Sequence, residues 1–197
     1  MRTETRTYQV YPIGELTEQA QSNAHYKWLE DLDYGWSSEN HSTLQQFEEL
    51  FSVDVRNWQY DSCTYNYSFF TSLSGEVEEL CGQRLATYIY NNYSYKLFAP
   101  KIYWGKGYSK KRKSRIFTDN SCPLTGYCMD DTILQPIYDF LQKPNPNTTF
   151  LNLIDECLTV FFKGCRDDRE YQESEECFIE TSIANGWEYL QDGTLFN

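Results

Sequence analysis

Thr149–Cys165, TFLNLIDECLTVFFKGC, is the stretch whose reading decides the fold class. Leu151, Ile154, Leu158, Phe161, Phe162 and Cys165 recur at three- and four-residue intervals, which puts them on one wide face of an α-helix. Thr148 or Thr149 stands where an N-cap belongs. So broad an apolar stripe needs a core to bury it. Upstream, Asp130 or Asp131 opens another helix that runs to Gln142, where KPNPN at 143–147 breaks it. Downstream, Asp167–Glu176 is strongly charged and reads as a bend or an exposed continuation. Phe178, Ile179 and Ile183 then resume apolar spacing as far as Asn185 and Gly186. Trp187–Leu190 and Thr194–Phe196, on either side of Gln191, Asp192 and Gly193, suggest a closing pair of short strands.

The period changes to two between Val53 and Leu73. Trp58 and Tyr60 share one face, and Tyr65, Tyr67 and Phe69 share a face after a break at Asp61–Thr64, the pattern of a β-hairpin. Before it, Leu16, Ala20, Ala24, Trp28 and Leu32 form one stripe of a helix from Glu15 to Leu32, stopped by Tyr34, Gly35 and Trp36. Ser42 or Thr43 caps a second helix through Phe51, with Leu44, Phe47, Leu50 and Phe51 inward. Thr3–Tyr11 alternates as a strand that Pro12 and Gly14 end. Glu76–Asn92 is helical, with Val77, Leu80, Cys81, Leu85, Tyr88 and Ile89 inward. Lys96–Trp104 and Ser114–Thr118 pair as strands around a basic tip, Pro100 marking an edge or bulge. The expected fold is a single α+β domain over 1–197: an N-terminal strand and helices, central antiparallel hairpins, and a mainly helical C-terminal third with short closing strands. A subdivision, if any, falls near 143–147.

With 197 residues, 40% hydrophobic and 23% charged, the chain has the composition of an ordinary globular protein. The longest apolar run, Cys157–Phe162, is interrupted by Thr159 and far too short for a membrane span. Seven cysteines, an odd number without a CxxC pair, follow an opening MRTETRTYQV that lacks an apolar signal region, so reduced thiols in a cytoplasm are expected. Catalytic chemistry finds little to use. Only His25 and His41 are present, neither beside a nucleophile and an orienting group. Cys122 and Cys128 in CPLTGYC are spaced too widely for a zinc knuckle, although Cys157 or Cys165 could be recruited to such a site. Neither a cofactor nor a resident metal is expected.

Charge is unevenly distributed. Residues 1–100 hold 14 acids and 6 bases, 101–154 hold 4 and 8, and 155–197 hold 11 and 3, for a formal net charge of −12. That mean field repels nucleic acid and anionic lipid and favours partners with basic surfaces. The positive island is KGYSKKRKSR, with Lys106, Lys110, Lys111, Arg112, Lys113 and Arg115. It reads either as a solvated hairpin tip or as a loop for RNA or DNA phosphate, with Tyr103, Trp104 and Tyr108 available for stacking. Glu173, Glu176 and Glu180, with Glu170 one turn earlier, are spaced to lie along one helical face. That row is either a hydrated outer surface or a phosphate mimic for a basic nucleic-acid channel.

Three stretches, VYPIGELTEQAQSNAHYKWLEDLDYGW (10–36), KKRKSRIFTDNSCPLTGYCMDDTIL (110–134) and YQESEECFIETSIANGWEYLQDGTLF (171–196), resemble a family of uncharacterised accessory proteins of phages, prophages and other bacterial mobile elements, some of them labelled antitoxins of toxin–antitoxin stability systems. Where other members have a Gly-rich FSGF-like segment, this chain reads NWQYDSCTYNYSFF at 57–70. The resemblance brings no catalytic residue with it. Joined to the acidic charge, it implies a non-enzymatic inhibitor in the bacterial host cytoplasm that binds a basic host defence protein. An anti-CRISPR protein blocking a nucleic-acid-handling effector fits that description. In the alternative reading, a nucleic-acid-binding antitoxin or regulator uses the 106–115 loop.

Overall fold

A computed structural model describes residues 2, 4, 6–98, 123–127 and 129–196. In chain order the elements are β1 (Tyr11–Pro12), a 3-10 turn (Ile13–Glu15), α1 (Glu18–Asp31), α2 (Ser37–Phe51), β2 (Val53–Tyr60), β3 (Tyr65–Thr71), α3 (Gly75–Glu78), α4 (Gly82–Leu97), α5 (Met129–Gln142), α6 (Phe150–Gln172), α7 (Glu175–Asn185) and β4 (Glu188–Tyr189). The fold is α+β, as expected, with two small antiparallel sheets, β1–β4 and β2–β3. The chain divides into two compact units. One comprises Met1–Gly35, Asp61–Thr64 and Arg166–Asn197, the other Trp36–Tyr60 and Tyr65–Cys165. The KPNPN stretch lies inside the second of these. No helix among the described residues is long and apolar enough to cross a membrane.

In the unit of Trp36–Tyr60 and Tyr65–Cys165, most of the expected stripe of α6 is buried: Ile154, Leu158, Phe161, Phe162 and Cys165 pack with Leu44, Phe47 and Phe51 of α2, Leu85 and Ile89 of α4, and Ile133 and Ile137 of α5, whereas Leu151 is only half-buried and Phe150 and Leu153 fill the first turn's core positions. Thr149 caps α6, its Oγ1 accepting from the Asn152 amide at 3.2 Å. The β2–β3 hairpin runs in register from Val53↔Thr71 to Tyr60↔Tyr65, with an irregularity between Arg56 and Gln59 where Asn57 takes φ 51°. This bulge adds a residue to one strand and shifts its parity, so Val53 and Val55 before it and Trp58 and Tyr60 after it all turn toward the core. Phe162 receives the hairpin's rings, with centroids 5.0 Å from Tyr67, 6.0 Å from Trp58 and 6.4 Å from Tyr60.

The Tyr67 hydroxyl sits 2.9 Å from Asp155 Oδ1 and 2.8 Å from Thr159 Oγ1, and burial, reinforced by the Asp155 carboxylate, pushes its ionisation up to about 12. Replacing Tyr67 with Phe forfeits these bonds and is expected to cost about 1 kcal/mol at pH 8. The difference should shrink above pH 10. In that range the unfolded wild-type tyrosine loses its proton before the folded one does, so the wild type is destabilised while the Phe variant is spared. Urea unfolding of both proteins across that range measures the gap.

Several local expectations change here. The single helix expected over Glu76–Asn92 is broken at Glu79–Cys81, and Gly82 starts α4 at φ +54° with the Pro146 backbone 2.9 Å from where a Cβ would stand. Cys81 is consequently an exposed residue bridged to Thr149 rather than an inward one. Asn91 and Asn92 do not end α4, because the Asn92 amide folds back onto the Tyr88 carbonyl at 2.8 Å and the helix continues to Leu97. That places Lys96 and Leu97 in a helix instead of a strand; the remainder of the Lys96–Trp104 strand beyond Phe98, together with Ser114–Thr118, lies outside the described residues. Helix α2 begins at Ser37, five residues before Ser42. Ser42 turns its hydroxyl back to the Ser38 carbonyl at 2.9 Å, and Thr43 is buried.

In the other unit, Ala20 and Ala24 form the buried stripe of α1 and pack with Ile13, Phe178 and Tyr189; Leu16, expected on that stripe, is buried beside them but lies in extended chain before the helix, and Trp28 covers the edge. Thr17 caps α1 through the Ala20 amide at 3.3 Å. Of the strand expected over Thr3–Tyr11, the described residues before Tyr11 form no strand; β1 is Tyr11–Pro12, paired with Tyr189 and Glu188. Tyr189 is buried and its hydroxyl meets that of Ser182 at 2.8 Å. Ile183, expected on the apolar face of α7, is 67% exposed; the buried face is carried by Cys177, Phe178 and Ser182. After β4 the chain folds back as expected, the Leu190 amide donating to the Thr194 carbonyl at 2.8 Å and Tyr189 bridging Leu195.

The turn at Gly193 seats on α1. With φ +84°, a Cβ at this position would stand 2.1 Å from the Ala20 carbonyl oxygen. The small residues Ala20 and Ala24 on the facing helix allow that approach.

Candidate functional site

Charge divides sharply between the units. The unit built from Met1–Gly35, Asp61–Thr64 and Arg166–Asn197 carries 16 Asp and Glu against 5 Lys and Arg, a formal −11; the other carries 13 against 12, a formal −1. Nearly all of the net charge therefore belongs to the smaller unit.

The four glutamates expected along one helical face do not share a helix. Helix α6 ends at Gln172, and Ser174 breaks the row by capping α7, its Oγ accepting from the Cys177 amide at 3.1 Å and donating to the Tyr171 carbonyl at 2.7 Å. Glu175 and Glu176 then occupy the first turn of α7, where the positive end of the helix dipole favours them. Glu173, left in the break, is tied inward. Burial opposes its charge, but hydrogen bonds from Ser62 and from Arg169, whose Nε lies 2.7 Å away, hold its carboxyl below the usual range. Its backbone carbonyl accepts from His25 Nε2 at 2.9 Å, and the His25 ring also contacts Trp28 and Phe178.

Glu170, Glu176 and Glu180 remain exposed. Beside them the exposed ring of Tyr171 donates its hydroxyl to Glu180 at 3.0 Å, a bond that raises the phenol's ionisation above its ordinary range. The neighbouring bases are engaged locally: Arg166 pairs with Asp167, and Arg169 pairs with Glu173 and lies 5.7 Å from the centre of the Tyr34 ring. Lys106, Lys110, Lys111, Arg112, Lys113 and Arg115, and the rings of Tyr103, Trp104 and Tyr108, lie outside the described residues.

Two further constellations lacked any local signature. Asp130 is 1% exposed. Its Oδ2 accepts from the amides of Leu124, Thr125 and Gly126 at 3.1, 2.8 and 2.8 Å, and its Oδ1 from the hydroxyls of Thr125 and Thr43 at 2.8 and 3.2 Å. With its acceptor sites occupied, this carboxylate clamps the 124–126 segment onto α2 and α5 and is not poised for proton transfer. The second is a cavity of about 490 Å³ in the acidic unit, walled by Trp28, Leu32, Phe178, Trp187, Tyr189 and Leu195, with Lys27, Asp31 and Asp33 also lining it. Residues about 160 positions apart build it.

Among the described residues no group of three or more His, Cys, Asp and Glu is placed to hold a metal ion. Cys157, Cys165 and Cys177 are buried, and burial raises the Cys157 thiol well above its usual range, which makes it inert. Cys122 and Cys128 lie outside the described residues. No family model matches the chain, and neither a curated protein nor a solved structure matches it.

Proposed function

We propose that the protein is a non-catalytic inhibitor working in the bacterial cytoplasm. Its acidic unit covers a basic, nucleic-acid-handling surface of a host defence protein, for which a CRISPR effector is the leading candidate. The observation that supports this reading is the confinement of a formal −11 to one compact unit. Such a field raises the rate of encounter with a basic groove and competes there with phosphate. Glu170, Glu176 and Glu180 supply exposed charge, and Tyr171 is a ring anchor among them. The resemblance to mobile-element accessory proteins agrees with this role.

The test is capture of a defence effector from host lysate, followed by competition against its guide RNA or target DNA. Replacing Glu170, Glu176 and Glu180 with Gln is expected to weaken the complex roughly tenfold at low salt, mostly through slower association, and to flatten its salt dependence. Replacing Lys110, Lys111, Arg112, Lys113 and Arg115 with Ser should leave the complex intact. Tight binding to bare RNA or DNA that the Ser variant abolishes, with no effector recovered, would replace this reading with that of a nucleic-acid-binding regulator.

A further inference from the structure

The cavity in the acidic unit brings together groups that each favour a cation. Trp28 and Trp187 are half-buried on its wall, so each presents part of an indole to water. Asp31 belongs to the last turn of α1, and Asp33 follows the C-cap Leu32. This is the negative end of the helix dipole, where a cation is favoured and a carboxylate is not, and the last turn holds no basic residue. Lys27, which also lines it, has its ammonium hydrogen-bonded to Thr194 Oγ1 at 2.7 Å. The arrangement therefore offers aromatic faces, a helix C-terminus and two carboxylates at one place.

A purely apolar ligand would leave the carboxylates and the helix end unanswered, and an anion would be repelled. A guanidinium answers all three, since its flat cation stacks on indole and forms forked hydrogen bonds to carboxylate. About 490 Å³ exceeds the needs of one side chain and falls in the range that holds a compact ligand, roughly 300–1,000 Å³. We propose that this cavity receives an arginine, with its flanking peptide, from a basic protein partner. The guanidinium lies against Trp28 and Trp187 and pairs with Asp31 and Asp33. The assignment rests on the reading that the acidic unit binds a basic protein, and supplies the anchor point of that contact. Its rigid base is the Gly193 turn held against α1.

The probe is the blocked pentapeptide Gly-Gly-Arg-Gly-Gly, compared with the same peptide carrying citrulline, which keeps the shape and loses the charge. The full chain, with its indole N–H groups assigned by nuclear magnetic resonance, is titrated with each. The arginine peptide is expected to shift the Trp28 and Trp187 signals saturably and to bind at least about tenfold more tightly than the citrulline peptide. The paired change D31N and D33N should erase that preference while leaving the melting temperature near that of the wild type. The E170Q, E176Q and E180Q variant should retain it.

Equal binding of the two peptides, or shifts absent from both indoles, would overturn the assignment. Free arginine binding as tightly as the peptide would remove the protein partner from it. Because no effector enters the titration, an arginine preference without inhibition would fault the functional reading alone. Inhibition without an arginine preference would fault the cavity alone.

Discussion

Asp130→Ala is expected to destabilise the protein by about 3 kcal/mol or more, since several hydrogen bonds to one carboxylate are lost together. Three backbone amides and the hydroxyls of Thr43 and Thr125 all point at this carboxylate. Without it the buried Thr43 hydroxyl and the half-buried amides of Leu124 and Thr125 lose their charged acceptor, and each bond left unmade carries its own cost. Asp130→Asn keeps an acceptor but turns an amide toward donors, so an intermediate loss is expected. The adjacent Asp131 is exposed, and Asp131→Ala should stay within about 0.5 kcal/mol of wild type. Urea denaturation of the three variants orders them. If Asp130→Ala behaved like Asp131→Ala, the carboxylate would not be the clamp described here.

Gly193→Ala is the second large effect. Two independent costs meet at this position: φ +84° is strained for any L-residue, and the new methyl would stand 2.1 Å from the Ala20 carbonyl oxygen and 3.1 Å from the Ala24 amide nitrogen. Backbone strain and overpacking together are expected to cost about 3 kcal/mol or more. Gly186→Ala separates them. Gly186 has φ +62° with nothing within 4 Å of its would-be Cβ, so that variant carries the strain alone, about 1 kcal/mol. Gly193→Ala should also alter the fluorescence of Trp28 and Trp187, because the turn it lifts forms part of their cavity. Equal stabilities for the two variants would mean that the turn yields without cost.

The elements that could be read in advance were those whose own residues carry a strong period. The stripe of α6, the paired rings of the β2–β3 hairpin and the spacing of Ala20, Ala24 and Trp28 on α1 each demand one face to be buried, whatever the partner. Where a local pattern depended on distant chain, it misled. Thr3–Tyr11 has strand composition, yet a strand extends only as far as its partner, and Glu188–Tyr189 offers two residues. Glu76–Asn92 has helical spacing, but the requirement for backbone to pass Pro146 at Gly82 is invisible locally.

The acidic row shows the same limit in the candidate site. Its spacing was correct for a helix, and Ser174 interrupted that helix because a hydroxyl can satisfy backbone amides as well as solvent can. The uneven charge, by contrast, was plain from counting acids and bases; only its confinement to one unit required the fold. Neither the Asp130 clamp nor the cavity could be found from spacing. One relies on main-chain amides, and the other is assembled from opposite ends of the sequence.

The acidic unit draws its residues from three separated segments, and this fixes an order of assembly during synthesis on the ribosome. Helix α1 emerges early, but the side chains that cover its apolar stripe, Phe178 and Tyr189, come 147 or more residues after Asp31. At a translation speed of about 5–20 residues per second, that stripe waits roughly 7–30 s for its partners. Most of the other unit lies between them and has time to collapse first, so in the newborn chain the nearly neutral unit precedes the charged one, whose core closes only when Phe178 and Tyr189 arrive.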